Sequence, residues 1–470
     1  MLDYLDRQTR LTANQWKIVS AAAIGDALEF FDYYLIGYVL AFIIKPWRLT
    51  YGQSGLILLS SGVGAIAGAY IWGYIADRIG RRTVFLATVL NFSLATGILA
   101  LTPEHGWIFL IVFRFFVGFG VGGLYCVDLP LVQEFIPTAK RGFISGLVTC
   151  FIPLGTMLGA VLGAYLAPHV GWRGLFAVGL VPALLTLLIR AWVPESPHWL
   201  LRAGRQEEAR RALGWALKVD PKTLPLPAAT PAAPPPRFLE LFRYPRSLAV
   251  SWLSNLGIQT AVYGLGLWSP ILLMLVMGVS AQEASFWMIF VNIGSLVGRF
   301  VFAWLSEAIG RRSSGAIVGL GGAAATVVAG FFPTAMIGTV SVFWLLLILV
   351  QTIGNGGWPI VGPYAAEVWP QQLRATGMGS AYGFGGIGKV IGPAGLALIL
   401  GSSNMVNPQM TIAAITPAFL YLAAWFALAG IVYLAFAFET RGRTFEAIDA
   451  ELAATQRPRG RRSRAAGAAG

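Results

Sequence analysis

The chain has 470 residues, 56% of them hydrophobic and only 12% charged, with a mean hydropathy of +0.68. Soluble domains carry about 25% charged residues, so a soluble core is excluded. A net charge of +13 does not point to nucleic acid either, because the basic residues fall in alternate connections, a linker and the tail rather than on one face.

Residues 1–16 form a short polar arm. Apolar runs then predict helices at about 17–43, 52–76, 83–101, 107–130, 141–167 and 172–192. A polar segment covers 193–246, and six more runs follow at about 247–277, 283–308, 313–333, 339–366, 374–402 and 411–437. Runs of this length span a bilayer as helices. They are continuous and lack the period-two alternation of barrel strands. The expected fold is an all-α polytopic membrane protein of twelve transmembrane helices, with domains at 17–192 and 247–437, a linker at 193–246 and a basic tail at 438–470.

One set of connections holds Arg78, Arg81, Arg82, Lys140, Arg141, Arg311, Arg312 and Arg374, whereas the other holds little beyond Lys45, Arg48 and Arg173. The positive-inside rule makes the first set cytoplasmic, and an even helix count puts both termini there too. Within the linker, Arg205 to Leu213 reads as an amphipathic helix on the inner membrane surface. Pro221 to Pro236 reads as a semi-rigid spacer. Arg457 to Arg464 reads as a cytoplasmic retention signal, or as a contact for anionic lipid.

Two motifs recur. Gly73-Tyr74-Ile75-Ala76-Asp77-Arg78-Ile79-Gly80-Arg81-Arg82 is echoed 230 positions on by Ala303-Trp304-Leu305-Ser306-Glu307-Ala308-Ile309-Gly310-Arg311-Arg312. Pro130, Glu134, Pro137 and Arg141 return 233 positions on as Pro363, Glu367, Pro370 and Arg374. Near-equal offsets imply a duplicated six-helix unit, with a pathway between the copies.

Three acids, Asp26, Glu29 and Asp32, sit three apart on one ridge of the first helix. A charge at the bilayer centre costs at least ~2.5–3.5 kcal/mol, so these groups must face water, a partner or a proton. Asp32 and Glu29 are proton-coupling candidates, set against a structural cluster paired to Arg or backbone. Arg114, inside the fourth helix, has Trp344 near its matching position in the second half. Asp128 shares the face of Arg114 and is assigned to the inner gate. Lys389, near the middle of the eleventh helix, needs a counter-ion, which an anionic substrate or an internal acid would supply. Gln259, Tyr263, Asn292 and Trp358 are further substrate-binding candidates. Asp77, Arg78, Arg81, Arg82, Glu134, Arg141, Glu195, Glu307, Arg311, Glu367, Arg374 and Glu439 fall at cytoplasmic helix ends, where opposite charges can join the bundles when the inner side is shut.

No catalytic constellation is present. His105, His169 and His198 lie in or beside loops without metal-ligand spacing, and Cys126 and Cys150 read as small buried hydrophobes. A phosphate-binding Gly-Lys-Ser/Thr signature is absent, so no cofactor is expected and a proton gradient is the energy source.

These residues resemble the major facilitator superfamily over essentially the whole chain. Gly73-xxx-Asp77-Arg78-xx-Arg81-Arg82 resembles its loop between helices 2 and 3. Pro194-Glu195-Ser196-Pro197 and Phe438-Glu439-Thr440-Arg441-Gly442-Arg443 resemble the sugar-porter motifs after helices 6 and 12. Arg114-xxx-Gly118-x-Gly120-x-Gly122 resembles helix 4 of proton-coupled members. In such proteins this Arg works near the first-helix acid. Thr149 stands where sugar porters carry glutamine, and Leu253 to Gln259 departs from their seventh-helix pattern. Gly25 to Tyr34 is closer to the metabolite–proton symporters. The resemblance implies a monomeric inner-membrane secondary transporter moving a small organic acid, aromatic acids included, by proton symport with alternating access. Sugar or polyol symport, efflux by antiport, and a non-transporting receptor on the same scaffold are the alternatives.

Overall fold

The computed structural model describes residues 3–225, 238–370, 373–443, 448 and 452. Most of the proline-rich spacer and the basic run from Arg457 lie outside the described residues. Helices begin where the sequence supplies caps. Capping boxes at Thr12/Gln15, Thr50/Gln53 and Ser280/Glu283 open spans 1, 2 and 8, which run Ala13–Ile43, Tyr51–Ile79 and Ala281–Ile309. Span 3 is Arg81–Leu99. Span 4 is Trp107–Tyr125, continued by Asp128–Phe135. Span 5 runs from Arg141 to Leu166, with a break at Phe151 and a final π turn, Leu162–Leu166. Span 6 is built from Ala167–Val178, which is kinked at Gly171, and Pro182–Trp192.

In the second half, span 7 is Pro245–Met277 and span 9 is Arg311–Phe331. Span 10 is Val342–Asn355 with Trp358–Glu367. Span 11 is Arg374–Gly386 with Gly388–Ile399, and span 12 is Pro408–Phe436. Ten helical stretches among the described residues are long and apolar enough to cross a membrane. Span 1 fails that hydropathy test because of its acids, and spans 5 and 6 fall into one stretch, Ile144–Leu185. Span 7 is the most enclosed, with every residue from Ser254 to Leu275 buried.

The linker helix, Gln206–Leu217, forms as its charge pattern suggests, with Arg205–Glu208 and Arg210–Glu207 ion pairs. Its apolar face packs against protein. Leu213 packs with Leu5 and Leu224, while Thr12 and Asn14 donate to the Ala216 and Trp215 carbonyls. The helix is therefore pinned beneath the first bundle.

At the basic end, each half ties three segments into the same knot. Arg81 pairs with Glu134 at 3.0 Å, and the Glu195 carboxylate accepts the backbone N–H groups of Arg81 (2.9 Å), Arg82 (3.0 Å) and Ser196 (2.9 Å). Ser196 Oγ donates to Glu134. In the second half Glu439 accepts from the Arg311 and Arg312 amides at 2.9 and 3.2 Å. There Thr440 donates to Glu367 at 2.5 Å, and Arg311 pairs with Glu307 (2.6 Å) and Glu367 (3.6 Å). Gly80 and Gly310 sit at φ 104° and 95°, and a Cβ on either would strike the Glu195 or Glu439 carboxylate. The glycine in both motifs is thus the seat for an acid that caps the next helix. These ion pairs all stay within one half, so in this state they brace each bundle rather than join the two. Trp199 donates to the Asp77 carbonyl at 3.0 Å, Arg78 stacks on Tyr74, and Arg141 and Arg374 each donate to a carbonyl five residues upstream.

The far end is sealed between the halves. Tyr51 and Gly52 N–H donate to the Asn404 and Ser402 carbonyls at 3.0 and 2.9 Å, and Val406 N–H donates to Leu49 at 3.1 Å. Tyr51 Oη meets Thr411 Oγ1 at 2.7 Å. Gly80→Ala and Gly310→Ala are each expected to destabilise the protein by about 1–3 kcal/mol, measured as loss of thermal stability in detergent. Gly73→Ala, with open space around its α-carbon, is expected to leave it unchanged.

Candidate functional site

Between the halves lies a cavity of about 460 Å³ of empty space, its mouth included. Span 1 contributes Phe30, Tyr34 and Tyr38; span 5 Ile152, Pro153 and Thr156; span 8 Met288, Asn292, Ser295 and Arg299. Gly266, Gln351, Asn355 and Trp358 complete the lining. The aromatic and aliphatic groups give flat apolar walls, and a few polar groups converge between them, as in small-molecule sites generally.

Tyr38, Thr156 and Asn292 form a bridge across the two halves. Asn292 Nδ2 donates to Tyr38 Oη (3.1 Å), Thr156 Oγ1 donates to Asn292 Oδ1 (2.8 Å), and Tyr38 Oη donates to the Thr156 carbonyl (3.2 Å). On the second-half side, Asn355 Nδ2 donates to Ser295 Oγ and Gln351 Oε1, each at 3.1 Å.

Arg299 is buried and reaches across the interface, donating from Nη1 to the Thr149 carbonyl at 2.5 Å. Its Nε has no hydrogen-bond partner. Among the described residues no carboxylate lies within ion-pair distance of it; its electrostatic neighbours include Asp26, Cys150 and the hydroxyls of Tyr382, Tyr263 and Tyr34. A buried cation with no carboxylate in contact is costly, and here it lines a cavity. Sequence reading passes over this residue, although the signal is the one that marks Arg114 and Lys389: a single cation inside a long apolar run.

The predicted site residues divide into two groups. Asn292 and Trp358 line the cavity. Tyr263 stands behind Tyr34, its ring stacked at 5.9 Å, and meets Trp358 edge-on at 6.0 Å. Gln259 is buried in span 7 against Gly385, with neither amide atom bonded to protein. Lys389 does not line the cavity. Its Nζ lies 5.0 Å from the Tyr263 ring centre and 5.7 Å from that of Tyr33, within electrostatic range of Glu29.

Asp26, Glu29 and Asp32 are all buried. Arg114 does not grip the Asp32 carboxylate. It donates to the carbonyls of Asp32 (2.8 Å) and Tyr33 (2.7 Å) and to Ser61 Oγ (2.8 Å). The glycines that follow Arg114 explain how it is placed. Gly118 and Gly122 lie against the backbone of Ser61 and Ala65, leaving no room for a Cβ. Spans 2 and 4 therefore meet backbone to backbone and deliver the guanidinium onto span 1. The Asp32 carboxylate, without a hydrogen-bond partner, faces Thr96 and Gly179. Asp128 is not part of the basic-end knot. It lies beside Asp26, because span 4 breaks at Cys126 and Val127 and re-aims the chain.

A membrane protein of two six-helix bundles enclosing a polar and aromatic cavity, sealed at one end, is a transporter. The Major Facilitator Superfamily model matches residues 22–393 and 252–464, and the chain belongs to that family. It is 32% identical to the niacin transporter NiaP of Acinetobacter baylyi over 383 residues, 80% of this chain and 85% of that protein. It is 25% identical to the cis,cis-muconate transport protein of the same organism, covering 85% and 91% of the two chains. Among solved structures, the partially occluded inward-open xylose transporter XylE from E. coli superposes with a TM-score of 0.72 at 20% identity, covering 92% of this chain and all of that one. Members of this family are not enzymes.

At the basic end, Asp77, Arg78, Arg81, Glu134, His198 and Arg202 line a second hollow. Burial, and then the charges of Arg141, Arg202 and Arg81, hold His198 down at about 4, against an ordinary value of 6.5. The unfolded chain therefore takes up the proton first. Stability is full above about pH 6.5 and falls as pH drops towards 4. His198→Gln is expected to remove about 1–2 kcal/mol of that acid-side loss once solvent screening is allowed for, read from unfolding midpoints between pH 7 and 4.5.

Proposed function

We propose that the protein moves a small organic acid, best fitted by a flat aromatic monocarboxylate, across the cytoplasmic membrane by proton symport. The observation that carries this reading is Arg299, a buried guanidinium on the central cavity with no carboxylate within ion-pair distance among the described residues. A substrate carboxylate is its natural counter-charge, because a charged hydrogen bond in a dry site is strong and orienting. Phe30, Tyr34 and Trp358 supply faces on which a ring can lie. Arg299 is preferred to Lys389 as the anchor because Lys389 stands outside the cavity lining. The names of the relatives, niacin and muconate transporters, agree with a carboxylate cargo.

The basic end faces the cytoplasm in this reading, as the arginine-rich connections require, and both termini lie there. The halves rock as a monomer about the cavity, while the knots at Glu195 and Glu439 keep each basic end rigid. Asp32 takes the proton. Arg114 fixes the span 1 backbone beside it and leaves the carboxylate free to titrate. The proton gradient supplies the drive, about 2.3 kcal/mol per 100 mV for each charge.

Two measurements test the proposal. In proteoliposomes, Arg299→Gln is expected to weaken binding of an aromatic carboxylate 30- to 100-fold, about 2–3 kcal/mol, while the matching carboxamide changes little. Equal losses for both ligands would overturn the carboxylate role. Asp32→Asn is expected to abolish uphill uptake and to spare counterflow exchange; uphill uptake at the wild-type rate would overturn the proton role.

A further inference from the structure

Most polar atoms on the cavity wall are already committed. Asn292 spends its amide on Tyr38, Thr156 and the Met288 carbonyl, and Tyr38 Oη donates to the Thr156 carbonyl. Ser295 Oγ donates to the Val291 carbonyl at 3.1 Å, so towards Asn355 it can only accept. The Asn355 amide is fixed by what surrounds its nitrogen. Nδ2 stands 3.1 Å from Ser295 Oγ, from the Gln351 backbone carbonyl and from Gln351 Oε1. A carbonyl oxygen and a hydroxyl whose proton is spent would both repel Oδ1, so the nitrogen belongs on that side. The same contact fixes Gln351, because its side-chain oxygen must face the Asn355 N–H. Gln351 Nε2 and Asn355 Oδ1 are the atoms left over. Neither has a protein partner among the described residues, and both residues line the cavity, Gln351 at only 5% exposure. They sit four positions apart and so share one face of span 10. Besides Arg299, the Tyr34 hydroxyl and the Trp358 indole N–H, this donor and acceptor are the uncommitted polar groups of the lining.

We propose that Gln351 and Asn355 are specificity-determining residues that read a hydroxyl on the ring of the transported acid. The inference rests on the carboxylate reading of Arg299 and adds the second group that the cargo carries. A hydroxyl accepts from Gln351 Nε2 with its oxygen and donates to Asn355 Oδ1 with its proton, so one substituent answers both atoms. A ring nitrogen accepts from Gln351 but leaves Asn355 Oδ1 without a donor. A second carboxylate is repelled by that oxygen, and Arg299 is the single charged group in the lining. A bare ring edge leaves both amide atoms unanswered. An unpaired buried polar group costs more than a made hydrogen bond gains, so the pair selects chiefly by what it rejects. Phe30, Tyr34 and Trp358 hold the ring by its faces and leave the choice of substituent to span 10.

Titration calorimetry on the full chain in detergent tests this, with benzoate, 3- and 4-hydroxybenzoate, their fluoro counterparts and nicotinate as probes. The better of the two hydroxybenzoates is expected to bind about 10- to 30-fold tighter than benzoate. Its fluoro counterpart, close in size but unable to donate, should bind no tighter than benzoate. That comparison uses wild-type protein and needs no variant to fold. In Gln351→Met and Asn355→Leu proteins that melt at the wild-type temperature, the hydroxyl preference should fall below about threefold, with benzoate affinity kept within about twofold. Equal weakening of both ligands would mark the pair as structural and overturn the inference. So would hydroxybenzoates and benzoate binding alike to wild type, nicotinate binding tighter than either hydroxybenzoate, or a preference that survives both variants. Arg299→Gln keeps the two readings apart. If benzoate binding depends on Arg299 but the hydroxyl makes no difference, the specificity inference fails and the carboxylate reading stands. If no carboxylate binds, or binding is indifferent to Arg299, the carboxylate reading fails and this inference falls with it.

Discussion

Every charge inside this protein must be answered by something, because the bilayer offers no water to do it. That constraint orders the whole interior. Arg114 is answered by two carbonyls and a hydroxyl, all fixed in place. Arg81 and Arg311 are answered by carboxylates at the basic end. The carboxylates of span 1 have no ion pair among the described residues, Arg299 has only the Thr149 carbonyl, and these are the groups that line or adjoin the path between the halves. Charges that are satisfied hold the scaffold, whereas charges that are not are the ones the proposed function uses to bind and release.

The duplicated motifs show how rigid parts are obtained cheaply in such an environment. One device serves both halves: a glycine at positive φ, an acid seated against it, and the exposed N–H groups of the next helix satisfied by that acid. It consumes the orphan donors of a helix N-terminus and at the same time binds a third segment. The second copy differs in detail, with Glu307 added as an i,i+4 partner of Arg311 and Ala308 in place of Arg78. The helix-capping function survives that drift because it depends on backbone geometry rather than on the side chains that changed.

Much of this was legible in the sequence, and the failures have physical causes. Span positions, the repeat and the importance of the span 1 acids follow from hydropathy and spacing, which are local properties. The grouping of charges is not local. Spacing alone assigns Asp128 to the inner gate, whereas the break at Cys126–Val127 turns it towards Asp26. The linker helix has an amphipathic pattern suited to a membrane surface, yet the N-terminal arm covers it. Nothing in the sequence around Arg299 distinguishes a cation aimed at a cavity from one paired with a neighbour. Only packing decides that, and here spans 5 and 8 place a carbonyl, not a carboxylate, at its tip.

The two halves share a plan but not a charge. The buried acids of the core, Asp26, Glu29, Asp32 and Asp128, all belong to the first bundle. The buried cations that face them across the interface, Arg299 and Lys389, belong to the second, and each projects out of its own half: Arg299 to the Thr149 carbonyl, Lys389 between Tyr33 and Tyr263. Arg114, the first half's own cation, has Trp344 near its matching position, and that residue spends its N–H on the Trp287 carbonyl. Duplication of a single unit would have given both halves the same charges, so the division arose afterwards. Its consequence is mechanical. Any movement of one bundle against the other separates unlike charges in a medium of low dielectric, and under the proposed symport protons and an anionic substrate would fill the places the moving side chains leave.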